Sequence, residues 1–326
     1  MAAIVDRCLR YVSRIGFVDR VLKRARFPGL RIGAGTNLDI RGTFSYGAGC
    51  GIGEGTNIII PREATLLLGE DCYIGRYVEL GPGGRVEIGG DTSIQDRSIF
   101  LGDVTVGRHC LISLNVLMSS GRHYFDLEPW FLIRDQDSRV VQDKNLSKNK
   151  LIVVEDDCWL GMNVVVMPGV SIRKGAVIGA SSVVTKDVEP YTVVAGAPAK
   201  VLRKRLDFVP PRSIAYNNPR DWPYFYSGFE VSKKCLDQYA QFGGIAARTQ
   251  FSVCLDASSW NSIHVVVKSI DSSVHTLVFG DQRNAISDQF QEVVCTNNEH
   301  STRSSLFRMR GDPGDGLLIV QKAWVQ

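Results

Sequence analysis

The amino-acid sequence predicts a predominantly β protein built around a triangular parallel β-helix. Three observations carry this. Large aliphatic residues return every six positions, a small or β-branched residue follows each of them by four, and glycine often comes directly after the large one. From Val154 onward the large column reads Val154, Leu160, Val166, Ile172, Ile178 and Val184, and the small column Cys158, Val164, Val170, Ala176, Ser182 and Val188. Both columns also run through Ile88, Ile94, Phe100, Val106, Ile112 and Met118, with Thr92, Ser98, Val104, Cys110 and Val116 as companions. Leu68, Ile74 and Leu80 extend them backwards with Cys72 and Val78, and weaker traces surround Ile32 with Thr36 and Ile52 with Thr56.

A period of six is neither a helix face nor the two-residue alternation of an isolated strand. Three short strands and three turns per coil satisfy it. The large residue fills the axis of the prism, the small one packs at its corner, and stacked coils bury a continuous core. Glycine suits the turns because it tolerates unusual backbone angles. Cys72, Cys110 and Cys158 stand in the small column, so they read as compact apolar fillers rather than metal ligands or nucleophiles.

At 326 residues the chain is long for one domain. Residues 1–30 read as a helical cap, with Ile4, Cys8, Tyr11, Ile15, Val18 and Leu22 in one apolar stripe and an excess of Arg and Lys elsewhere. Peripheral contact of this basic segment with an anionic membrane is the second reading. The coil occupies 31–205. Residues 206–230, rich in proline and aromatic residues, read as a linker. Residues 231–326 read as an antiparallel β-rich accessory domain with strands at Phe251–Leu255, Ile263–Val267, Val274–Phe279, Glu292–Cys295, Ser305–Met309 and Leu317–Val325.

The totals exclude several classes. A net charge of +4 gives no general reason to expect nucleic acid. The eight cysteines form no CxxC pair and no apolar run reaches the length of a bilayer span. Free thiols in a cytoplasmic setting, with the inner membrane as a peripheral location, are expected.

The six-residue signal fails over 119–150, a polar and aromatic loop leaving a rigid coil, where function is expected. The loop holds His123, one of five histidines, together with Tyr124, Asp126, Glu128 and Trp130. His109 falls at the turn of a regular hexad and reads as structural.

The segments Val104–Asn115 leading to His123, Cys158-Trp159-Leu160-Gly161, Met167-Pro168-Gly169-Val170, Val177-Ile178-Gly179-Ala180, Ser182–Asp187 and Ala195–Val201 carry a resemblance. They resemble the left-handed β-helix, hexapeptide-repeat acyltransferases, in the branch of galactoside, maltose and nodulation O-acetyltransferases, and are similar to capsule and lipopolysaccharide acetyltransferases. The resemblance covers most of 31–205. It implies a homotrimer with active sites in clefts between coils, acetyl-CoA as acyl donor, no metal, and a saccharide hydroxyl as acceptor in surface polysaccharide synthesis. His123 is implied as the catalytic base. Trp159, Met162, Ala180, Lys186, Lys200 and Arg203 are implied at the cofactor, the basic ones meeting its phosphates. Asn115 and Trp130 are implied at the acceptor. Ser93, with Gln95 and Asp96 nearby, stands where relatives often carry an acceptor-binding asparagine, a departure that leaves the acceptor open.

Three other readings compete. An N-acyltransferase on an amino-sugar nucleotide usually has an N-terminal αβ domain, which 30 residues cannot supply. A β-helix metalloenzyme needs three histidine ligands, and the coil region has His109 and His123 alone. A non-catalytic β-helix scaffold has no use for His123 or Lys186.

Overall fold

A computed structural model describes residues 23, 25–142, 149–231, 236, 238, 240–270, 274, 276–297, 305–312 and 316–326. The helical cap expected over 1–30 lies almost wholly outside them. Its described end places Phe27 and Leu30 in the core of the first coil, Phe27 edge-on to Phe44 at 5.7 Å. The chain divides into two compact units, Met1–Asp207 and Phe208–Gln326.

The first unit is the expected parallel β-helix. One face is a ladder in which Arg31 pairs with Gly51, Gly51 with Tyr73, Tyr73 with Ser93, Ser93 with Leu111, Leu111 with Trp159 and Trp159 with Val177. The regular coils advance 18 residues, from Ser93 to Leu111 and from Trp159 to Val177. That is three hexads. Coils before Ser93 advance 20 or 22. Their extra residues sit at one corner, between Leu80 and Val86 where the next coil has Phe100 and Val104. This is why the period fades toward the N-terminus while the inward residues Ile52, Ile58, Leu66, Ile74 and Leu80 remain fully buried.

The small column has a second duty. At one corner Cys50, Cys72, Thr92, Cys110 and Cys158 each donate to a carbonyl of the following coil, at Gly69, Gly89, Gly107, Glu155 and Arg173, over 2.8–3.2 Å. Short polar side chains there satisfy backbone carbonyls that the turn leaves unpaired. Burial, reinforced by the neighbouring Cys50, pushes the Cys72 thiol up to about 12, and burial beside Cys110 holds Cys158 well above the ordinary thiol range.

Among its described residues the second unit is an antiparallel β structure of nine strands, from Ser213–Ala215 to Leu318–Val325. All six expected strands are present within a few residues, and Gln282–Ala285 joins them. The expected linker is corrected. Ser213–Ala215 pairs with Leu318–Val325 and Phe225–Phe229 pairs with Ile245–Cys254, so 208–230 is part of this unit. Its aromatic residues are core: Phe225, Phe229 and Phe251 meet edge to face at 5.0 and 5.1 Å. Pro219 and Pro223 belong to the 3-10 turn Pro219–Tyr224 rather than to a spacer. Among the described residues no helix is long and apolar enough to cross a membrane.

Two outcomes follow. At about pH 8, where an ordinary thiol reacts readily, iodoacetamide leaves Cys72 and Cys158 unmodified in the folded chain and labels both in guanidinium. Peptide mass spectrometry reads this, and rapid native labelling contradicts the inward placement. Leu160→Ala, at a fully buried axial position, costs about 2–5 kcal/mol, measured from the denaturation midpoint.

Candidate functional site

The interrupting loop leaves the prism at the same corner where the early coils hold their extra residues. Register steps 48 residues, from Val104 to Ile152 and from Leu111 to Trp159. Backbone hydrogen bonds cinch its base: Ser120 donates to Leu101, Lys150 to Ser120 and Gly169 to Lys150. The buried Ser120 hydroxyl also accepts from Asp103 N–H at 2.7 Å. Gly102, at φ +82°, permits this, since a Cβ there would lie 2.2 Å from Ser120 Oγ.

His123 stands just beyond this neck. Its Nδ1 is 2.5 Å from Asp137 Oδ2, and its side chain is 81% exposed while that of Asp137 is 15% exposed. Asp137 comes from the helix Ile133–Gln142 within the loop. Its other oxygen accepts the Tyr124 N–H at 2.9 Å, so one carboxylate fixes both the ring and the backbone after it. An ionised carboxylate only accepts. Nδ1 therefore carries the proton, and Nε2 presents a lone pair outward. The helix is anchored in turn by the buried Gln136, which accepts from Glu128 N–H and donates to Phe131 O, and by Arg139, which pairs with Glu128 and lies over the Phe131 ring. Asp137 is the residue of this candidate site that sequence reasoning missed. It sits 14 positions from His123 in a segment without period, and an acidic residue on a short polar helix carries no signal of its own.

Trp159, Asn115, Met162 and Ala180 lie at or beside a different corner. Trp159, 51% exposed, donates from Nε1 to Ser113 Oγ at 3.3 Å. Asn115 and Asn163, both in the left-handed region, are joined by a 3.1 Å side-chain bond across adjacent coils. Met162 and Ala180 are exposed on successive coils here, with Ser181 N–H donating to Met162 O at 2.7 Å. Ser93 lies on the same face as Trp159, two rungs away through Leu111. Its neighbour Asp96 is engaged by Arg76 through the backbone N–H at 2.8 Å and the guanidinium at 2.7 and 2.9 Å, which holds the carboxyl below its usual range. Lys186 is exposed at the loop-bearing corner, on a later coil. Lys200 and Arg203 are exposed on the strand Lys200–Lys204, which turns back antiparallel on Thr192–Ala195. Trp130 is 76% exposed, tilted against Phe131. His109 keeps its structural reading, bonded through Nδ1 to Asp91 at 2.9 Å in a left-handed turn.

Residues 152–186 match the family described as bacterial transferase hexapeptide (six repeats). A galactoside O-acetyltransferase of Lactococcus lactis is 32% identical over 168 residues, which are 47% of this chain and 72% of that protein. The chain belongs to the hexapeptide-repeat transferases. A probable macrolide acetyltransferase of Lysinibacillus sphaericus is 35% identical, over 43% of this chain and 79% of that protein. A chloramphenicol acetyltransferase of Klebsiella aerogenes is 36% identical, and this hexapeptide-repeat transferase spans about half of its length, 51%. A hexapeptide-repeat acetyltransferase structure from Vibrio cholerae is similar at 24% identity and TM-score 0.33, over 59% of this chain and 82% of that one. All these matches are partial in this chain.

The neck offers a test. Gly102→Ala forces a side chain into positive φ against Ser120 Oγ, a strain of about 1–3 kcal/mol. The expected result is a lower melting temperature by calorimetry and weaker amide protection of Asp103 in hydrogen exchange.

Proposed function

We propose that the protein is an acetyl-CoA-dependent O-acetyltransferase acting on a saccharide hydroxyl, with His123 as general base. The observation that carries this is the bond between His123 and Asp137, which leaves an exposed, proton-accepting Nε2 above a hexapeptide coil. Relatives named as acetyltransferases, one of them a galactoside O-acetyltransferase, support the donor and the acceptor class.

The chemistry is direct transfer. A sugar hydroxyl is too weak an acid to ionise alone near neutrality, whereas imidazole is suited to accept its proton there. Nε2 takes that proton as the hydroxyl oxygen attacks the thioester carbonyl. The carbon–sulfur bond breaks, and the thiolate recovers the proton from the imidazolium. Asp137 keeps the ring in the productive tautomer and supports the charge it gains, acting as a positioning residue.

Trp159, Met162 and Ala180 are assigned to the acetyl and pantetheine end of the donor, and the exposed cations Lys186, Lys200 and Arg203 to its phosphates. Asn115, Ser93 and Trp130 are assigned to the acceptor side. His123 springs from one corner and Trp159, Met162 and Asn115 from another. A homotrimer, in which a second copy brings these corners together, answers that separation and the open side of His123. Synthesis of a bacterial surface polysaccharide is the proposed setting.

Thiol release from acetyl-CoA over a panel of sugars tests the reading, with chloramphenicol and a macrolide as alternative acceptors because relatives bear those names. His123→Ala lowers kcat by about 10²–10⁴-fold, and retention of full rate removes the mechanism. Asp137→Asn lowers kcat with little change in KM for acetyl-CoA, since Asp137 acts on the ring and not on the donor. A scaffold would bind no acetyl-CoA in calorimetry.

A further inference from the structure

The second unit holds a cluster for which the transfer reaction has no use. In the strand Ser262–Ser269, Ile263, Val265 and Val267 point into the core, so Ser262 and His264 share the opposite side. Ser262 Oγ is 2.8 Å from His264 Nε2, and His264 Nδ1 is 2.6 Å from Glu292 Oε1 on the adjoining strand Gln291–Thr296. The imidazole also stacks on Trp324, with ring centres 4.9 Å apart and planes 14° from parallel. Lys322 Nζ lies 4.8 Å from the centre of the same indole.

This arrangement selects one tautomer. The Glu292 carboxylate accepts the proton of Nδ1, so Nε2 offers its lone pair to the Ser262 hydroxyl. The ring is buried, at 9% side-chain exposure, whereas Glu292 is 48% exposed and Ser262 is half-buried. Serine, imidazole and carboxylate thus stand in the order that activates an alcohol as a nucleophile, and stacking on Trp324 fixes the ring between them. Thr296 pairs with Ser262 in the antiparallel register and adds a second hydroxyl-bearing residue to that side.

We propose that Ser262, His264 and Glu292 form a second nucleophilic centre, which takes acyl esters of alcohols. Ser262 Oγ bonds to the ester carbonyl carbon while its proton passes to His264 Nε2. The bond from that carbon to the alkoxy oxygen breaks, and the leaving alcohol takes the proton from His264. Water then attacks the acyl-serine, again giving its proton to Nε2, and the carboxylic acid leaves as the proton returns to Ser262 Oγ. Glu292 stays ionised throughout and holds the Nδ1 proton.

The test uses the full chain with a fluorophosphonate probe and p-nitrophenyl acetate. Peptide mass spectrometry is expected to place a single fluorophosphonate adduct on Ser262. Ser262→Ala abolishes both this adduct and the p-nitrophenol burst. His264→Gln slows adduct formation by about 10²-fold or more. Glu292→Gln, at a side chain half open to solvent, slows it while the melting temperature holds, which separates loss of base function from loss of packing. An adduct elsewhere, no adduct at all, or equal hydrolysis by Ser262→Ala overturns the proposal, and none of these results bears on acetyl-CoA turnover at His123.

Discussion

Hydrogen bonding between successive coils is the constraint on which the first unit rests. Every coil must lie flat on the next for Gly53 N–H to reach Ile74 O, Gly75 N–H to reach Ile94 O and Gly89 N–H to reach Val106 O. A side chain at Gly53 would place its Cβ 2.5 Å from the Gly75 carbonyl, so the turn itself dictates the residue. Axial positions must then be filled at a constant height by Ile, Leu, Val, Phe or Met, because a void has no other element to collapse into it. Corner positions need a side chain small enough to fit and, where a carbonyl faces inward, able to donate. Cys and Thr meet both demands, which explains why thiols line this corner of the coil.

Such a scaffold carries chemistry by what it allows to leave it. Two hydrogen-bonded rungs at Ser120 and Lys150 let a long segment depart from one corner without disturbing the coils on either side. Beyond that neck the loop builds its own order from polar contacts: Gln136 ties Glu128 to Phe131, and Asp137 ties His123 to the backbone at Tyr124. The imidazole is thus rigidly oriented although its surface is open. This combination suits a base that must meet a large acceptor.

The second unit obeys a different rule. Its strands are antiparallel, with one side packed on Phe225, Phe251, Val265 and Val320 and the other carrying Ser262, His264 and Glu292 beside Trp324. Because side chains alternate, a serine and a histidine two positions apart meet on that second side, and a neighbouring strand supplies Glu292 to the same ring. Proline and aromatic residues of 206–230, which read as a linker, are drawn into this unit because Phe229 meets Phe251 edge to face and Phe225 packs on Phe229.

The sequence by itself determined the coil, the inward cysteines and the place where the period breaks ahead of His123. These are short-range and repetitive, so the same two columns report them many times over. Only the tertiary structure decided that Asp137 faces His123, that Trp159 leans on Ser113 at another corner, and that His264 lies between Ser262 and Glu292. Each of these joins single residues through a fold, at separations of 14, 46 and 28 positions for the pairs with Asp137, Ser113 and Glu292. A contact made once leaves no periodic trace in the chain, and its partners become visible only when the backbone has brought them together.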